Sequence, residues 1–248
     1  VDGAKRAGGF KVGVSQKAEE DVTGHLEDAQ AKGRPIVVVS MGTVTTGDHP
    51  TLGWNGRQTN ADGTKIGLSG KQLFQSAVAG VCRACGRSSN DVADPLILIS
   101  QGPQPDALAG IDVPANVVSR TFLPQVDVLR ARPICFVTHG GQNSFMESLA
   151  NAVPMVVCPQ VGDQFDNARK AEEMGVGQFV PRPQPPIGGE DVAAADYADA
   201  VCAAVTAVTT GDVYTTAALN KAKMFTEAGG VQKGVDILNT LGEAAASE

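Results

Sequence analysis

A chain of 248 residues is long enough to bury a sizeable core in one large domain or two small ones, and 42% hydrophobic with 19% charged residues is ordinary for a globular protein. The net charge of −7, from 20 Lys+Arg against 27 Asp+Glu with no basic patch, argues against nucleic acid as a partner. No apolar run approaches the roughly 18–20 residues of a membrane span, and the N-terminus lacks the apolar core of a signal peptide.

Glycine is abundant at 29 and aromatic residues make up only 4%, which suits an α/β protein with many strand-to-helix turns. Residues 1–15 are Gly- and Lys-rich and read as a linker or frayed end. The first residue is Val1, as expected of a fragment of something longer. From about 17 to 32, Val22, Leu26 and Ala29 recur at helical spacing. Pro35–Ser40 is then a continuous β-branched run, the pattern of a strand buried on both faces. Similar runs recur at Leu96–Ser100, Val117–Thr121, Ile134–Thr138, Met155–Cys158 and Gln178–Val180. Helical patterns cover about 69–86, 142–151, 164–174, 191–208, 215–228 and 231–241. Strand alternating with helix predicts right-handed βαβ units, hence α/β architecture: a single doubly wound, Rossmann-like domain with a parallel sheet. Ligands of such sheets sit beyond the carboxyl ends of the strands.

Residues 44–68 break the rhythm as a long polar, Gly-rich stretch with His49 and the only Trp, Trp54. Leaving the first strand's carboxyl end, it is either a lid or contact loop over the ligand crevice or a tolerated surface insertion. The five cysteines are an odd count, and Cys135 and Cys158 lie in apolar runs. Reduced, buried thiols and a cytoplasmic location follow as expectations. Cys82 and Cys85 form a lone C-x-x-C in a helical stretch. No second pair completes a metal site, so a core role is favoured over metal or redox chemistry.

The chemistry concentrates after the strand 134–138, which runs into His139-Gly140-Gly141 and a helix. A Gly pair allows a tight turn and close approach of a ligand, and the free N–H groups of a helix start favour an anion. Within that helix, Asn143, Ser144 and Glu147 share one side, placing amide and hydroxyl donors at the anion end and a carboxylate one turn deeper. Phosphates suit the former and ribose hydroxyls the latter. The plain alternative is that Asn143 and Ser144 cap the helix and Glu147 is solvated.

The surrounding residues read Phe122-Leu123-Pro124-Gln125, then His139-Gly140-Gly141-Gln142-Asn143-Ser144, Glu147, Val153-Pro154-Met155, and Gly162-Asp163-Gln164 with Asn167-Ala168. Order and spacing resemble the donor-binding signature of the family 1 UDP-glycosyltransferases. Ser40-Met41-Gly42-Thr43 resembles that family's S-x-G-S/T loop, and Gly229-Gly230 its C-terminal G-G element. The resemblance implies the C-terminal half of a GT-B fold, with residues 16–248 as the nucleotide-sugar domain. It places Phe122 against uracil and Gln125 at the base edge. It assigns His139, Gly141, Asn143 and Ser144 to the diphosphate, with Ser40, Gly42 and Thr43 facing it from the opposite side. Glu147 is assigned to the ribose, and Asp163 and Gln164 to the sugar, which points to glucose. Gln142 stands where plant members carry Trp, and Phe122 replaces the family's Trp. Each position has a plainer role beside this one: Asp163 as the cap of the helix 164–174, Gln125 as the cap of a turn near Val128-Leu129, Phe122 as core, His139 as structural.

The implied activity is that of an inverting transferase that moves a hexose from a UDP-sugar to an acceptor hydroxyl, such as a lipophilic alcohol or phenol, with neither metal nor other cofactor. The implied base and acceptor site belong to an N-terminal acceptor-binding domain outside this chain, so no catalytic residue is expected here and little transfer by the chain alone. Two alternatives are a separate donor-binding subunit of a split transferase and a non-catalytic nucleotide-sugar sensor.

Overall fold

A computed structural model describes residues 16–246; the expected linker at 1–15 lies outside the described residues. In chain order the elements are α1 (Gln16–Ala31), β1 (Ile36–Ser40), α2 (Gly42–Thr46), β2 (Gln58–Thr59), β3 (Lys65–Ile66), α3 (Gly70–Cys85), β4 (Leu96–Ser100), β5 (Val117–Arg120), α4 (Gln125–Arg130) and β6 (Cys135–Thr138). Then follow α5 (Gln142–Ala150), β7 (Met155–Val157), α6 (Gln164–Glu173), β8 (Gly177–Phe179), α7 (Glu190–Thr209), α8 (Val213–Glu227) and α9 (Gly230–Ala246).

Six strands form one parallel sheet in the order β5-β4-β1-β6-β7-β8, as the doubly wound reading requires. The direction of strand addition reverses between β1 and β6, so the ligand crevice is expected above their carboxyl ends. The β-branched run of β1 explains its central place: Val37, Val38 and Val39 are fully buried, with one helical layer on each face. Each such side chain contributes about 1.5–3 kcal/mol by leaving water. Val37 and Val39 belong to the layer shared with α3 and α7, whereas Ile36 and Val38 belong to that of α1 and α4.

Helix α3 starts where a capping box sets it. Ser69 Oγ accepts from the Gln72 amide (3.2 Å) and Gln72 Oε1 from the Ser69 amide (3.0 Å). Helix α7 is long and apolar enough by composition to cross a membrane. Its Tyr197, Val201, Ala204, Val205 and Val208 are instead buried in the core layer that also holds Leu73, Ala77 and Val81 of α3. The six-residue α4 was hidden from the periodicity, which is read only over longer windows.

The 44–68 stretch is ordered. It opens with α2, closes with the β2–β3 hairpin, and buries Trp54 (2% exposed) edge-on against Phe74, ring centroids 5.7 Å apart. Its polar composition concealed two large apolar anchors, Trp54 and the fully buried Leu68, in the core layer shared with α3. Both cysteines of the C-x-x-C are free thiols; Cys85 is buried and Cys82 half-buried, and burial pushes Cys82 up to about 11.

Candidate functional site

Three parallel strands end side by side on hydroxyl residues, because Ser40 of β1 is in register with Ser100 of β4 and Thr138 of β6. Past them, the chain enters α2 after Met41 and α5 after His139-Gly140-Gly141. Gly140 has φ +78° and a Cβ there would lie 2.4 Å from Val157 Cγ1, so the turn requires glycine. Gly42 has φ +76°, and a Cβ there would lie 2.6–2.9 Å from three atoms of the His139 ring. A Cβ on Gly141 would likewise lie 2.5 Å from Nε2 of the ring. The two glycines thus make the slot that holds the imidazole.

Above this slot lies a cavity of about 400 Å³. Ser40, Gly42 and Thr43 line it from the β1 side, and His139, Gly141, Gln142, Asn143 and Ser144 from the β6 side. Phe122, Leu123 and Gln125 line it next to β5. The N–H groups of the first turn of α5 have no intrahelical acceptor and together present roughly half a positive charge. No acidic residue in that turn offsets it.

Ten of the thirteen residues expected at the site therefore line one cavity; Glu147, Asp163 and Gln164 do not. Glu147 is tied to the lining nonetheless. Gln125 Nε2 donates to Glu147 Oε2 (2.7 Å) and to Ser144 Oγ (3.1 Å). Gln125 thus begins α4 without capping it, and spends its amide on preorganising the carboxylate. Asp163 is exposed and makes no cap hydrogen bond to α6, so the capping role is not realised. Gln164 is buried, and its Oε1 accepts from the amides of Gln160 (2.8 Å) and Val161 (3.2 Å). Asn167 Nδ2 donates to the Gly140 carbonyl (2.9 Å) and fastens α6 to the glycine turn.

Thr46, Ser100, Gly102 and Leu123 also line the cavity and were not singled out by motif. The signal for Ser100 was present: the runs Ile36–Ser40, Leu96–Ser100 and Cys135–Thr138 each end in a hydroxyl residue at the strand's carboxyl end.

Burial lowers the His139 pKa from its ordinary 6.5, with the Ser40 backbone and the Asp163 carboxylate opposing the shift. Its Nδ1 is buried without a hydrogen-bond partner. The folded chain therefore binds fewer protons at this ring than the unfolded chain. The stability it contributes is whole above about pH 6.5 and declines as pH falls from there toward the folded value. His139→Gln is expected to flatten that acid-side decline, measured as the difference in Tm between about pH 7.5 and pH 5.5. An unchanged slope would exclude His139 as its source.

Residues 84–195 match the sequence profile of the family UDP-glucoronosyl and UDP-glucosyl transferase. The NDP-glycosyltransferase YjiC of Bacillus subtilis is 32% identical over 137 residues, covering 55% of this chain and 32% of that protein. UDP-glucuronosyltransferase 1A9 of Homo sapiens is 43% identical over 70 residues, 26% of this chain and 13% of its own. The chain spans about a third or less of the length of these curated relatives. Among solved structures, the glycotransferase of kitacinnamycin superposes with a TM-score of 0.59 at 23% identity, covering 85% of this chain and 44% of that one. Os79 from O. sativa, solved in complex with UDP, gives 0.56 at 22% identity, covering 81% and 38%. At these identities the superpositions establish the fold, that of GT-B glycosyltransferases. Motif order, the profile match over residues 84–195 and the fold together make this chain similar to the UDP-glycosyltransferases.

Proposed function

We propose that this chain is the donor-binding domain of an inverting glycosyltransferase that takes a UDP-sugar, with glucose as the sugar, and transfers the hexose to an acceptor hydroxyl. The observation that carries this reading is the cavity at the reversal point of the sheet, which meets the N-terminus of α5 and His139 and, beside them, the Gln125–Glu147 pair. The diphosphate sits against the free amides of α5 with Ser40 and Thr43 opposite. Phe122 offers a ring face to the base, and Glu147 accepts from the ribose hydroxyls. Charge developing on the leaving diphosphate meets donors that are already in place, which is how a fixed site favours a transition state without a metal. The base that deprotonates the acceptor, an alcohol or phenol in this reading, comes from a separate acceptor-binding domain, so the chain alone binds donor but transfers little. We place it in the cytoplasm, where its five thiols stay reduced.

Calorimetric titration with UDP and with inorganic diphosphate tests the assignment. Glu147→Ala is expected to weaken UDP about ten- to hundredfold, the scale of losing hydrogen bonds to a charged acceptor, while diphosphate affinity changes less than about twofold. Equal losses for both ligands would refute the ribose role. No UDP binding by the wild-type chain would overturn the donor-site reading itself.

A further inference from the structure

The strongest feature that the nucleotide cavity leaves unexplained is a buried cation without a counter-ion. Arg182, three residues beyond β8, is 7% exposed, and no carboxylate pairs with it among the described residues. Its Nη1 donates to the Gln160 carbonyl (3.2 Å) and its Nη2 to the Leu68 carbonyl (2.9 Å). Arg182 Nε is buried without a hydrogen-bond partner, and the buried Tyr197 hydroxyl lies beside Gln160 and Arg182. Burial lowers the Arg182 pKa from its ordinary value, with Tyr197 opposing. An apolar side chain of similar volume would fill this space without the cost of desolvating a charge. What the guanidinium adds is a link between two backbone segments far apart in sequence.

Those segments matter for position. Gln160 lies in the turn between β7 and α6 that carries Asp163 and leads into Gln164. The turn is clamped from within, because Gln164 Oε1 accepts from the Gln160 and Val161 amides and Gln160 Nε2 donates to the Cys158 carbonyl (3.0 Å). Arg182 supplies the outward link, to Leu68 at the end of the 44–68 insertion. That end is itself held by a second guanidinium. Arg57 donates to the Gly67 carbonyl (Nε 3.0 Å, Nη2 2.7 Å) and pairs with Glu190 at the start of α7 (2.5 Å). A run of fixed carbonyls and two arginines therefore reaches from α7 through the insertion to the turn that bears Asp163.

We infer that Arg182 is a positioning residue for the sugar end of the donor site, setting the 158–164 turn, which Gln164 holds from within, against the 44–68 insertion so that the exposed Asp163 meets the hexose. The inference rests on the proposed donor-site reading and goes beyond it by giving the insertion a role as a buttress rather than a lid. Arg182 touches no substrate; it acts through the Gln160 carbonyl.

The test uses the whole chain and two probes, UDP and UDP-glucose, titrated calorimetrically into wild type, Arg182→Lys and Arg182→Met. The quantity read is the ratio of the two affinities, which isolates the sugar. In Arg182→Met the advantage of UDP-glucose over UDP is expected to fall about tenfold, the scale of a substrate hydrogen bond lost, with UDP affinity within about twofold of wild type. Arg182→Lys, which keeps one of the two links, is expected to fall between. Equal loss for both probes, or a ratio that does not move, would assign Arg182 to packing alone and overturn the inference. Hydrogen exchange on the wild-type chain gives a second readout that does not depend on a variant folding. UDP-glucose, compared with UDP, is expected to slow exchange in 158–164 and in 66–70 together. Slowing in 158–164 alone would sink the link. Failure of wild type to bind UDP removes the donor site and this inference with it, whereas UDP binding with an unmoved ratio removes the inference only.

Discussion

Gly42→Ala is expected to lower UDP affinity more than a hundredfold, equivalent to roughly 3 kcal/mol, and to lower Tm as well. Two costs combine. An alanine in the left-handed region costs about 1–2 kcal/mol in backbone strain. Its methyl would also lie 2.6–2.9 Å from three atoms of the His139 ring, which also packs closely against Gly141. The imidazole or the start of α2 must shift, and both line the cavity. Gly33→Ala is the control. Gly33 has φ +64° with nothing within 4 Å of an added Cβ, so it carries the strain without the collision. It is expected to cost about 1 kcal/mol of stability and to leave UDP affinity unchanged. A Gly42→Ala chain that binds UDP within threefold of wild type would show that the slot is not needed.

Trp54→Ala is expected to destabilise the fold by about 3–5 kcal/mol, the usual cost of emptying a buried aromatic site. Against a typical total of about 5–15 kcal/mol this is a large fraction. The reason is the burial of the indole against Phe74 in the layer shared with α3 and α7. Because no residue from 47 to 68 lines the cavity, UDP affinity of the folded variant is expected to stay within about twofold. Urea unfolding measures the first effect and calorimetry the second. A lid would give the opposite pattern, with affinity lost and stability kept.

The parts of the fold legible in the sequence were those with a strong local signature. The β-branched run of β1 and the alternation that follows predicted a parallel sheet, because parallel strands are buried on both faces and need no polar alternation. The glycine turn and α5 were legible because tight turns and helix starts each demand particular residues. The packing of Trp54 was not legible in its setting: a lone aromatic among polar residues carries no periodicity, and only Phe74 across the fold shows which way it packs. Thr46 at the end of α2 and Gly102 in the turn after β4 reach the cavity from different strands' carboxyl ends, and such convergence exists only in three dimensions. Arg182 was silent for the same cause. Its partners are two main-chain carbonyls, Leu68 and Gln160, and a carbonyl has no letter in the sequence.

The placement of β1 between β4 and β6 has a consequence for how the protein acquires its function. Val37 pairs with Cys135, roughly a hundred residues later in the chain, and the slot for His139 depends on that pairing. Contacts so distant in sequence close late and slowly in folding. No fragment ending before β6 contains both walls of the cavity, so the proposed nucleotide binding would report completion of the whole sheet and not of any local unit. By mass action, a ligand held only by the finished sheet stabilises all of it, and UDP would act on this chain as a folding ligand as much as a substrate.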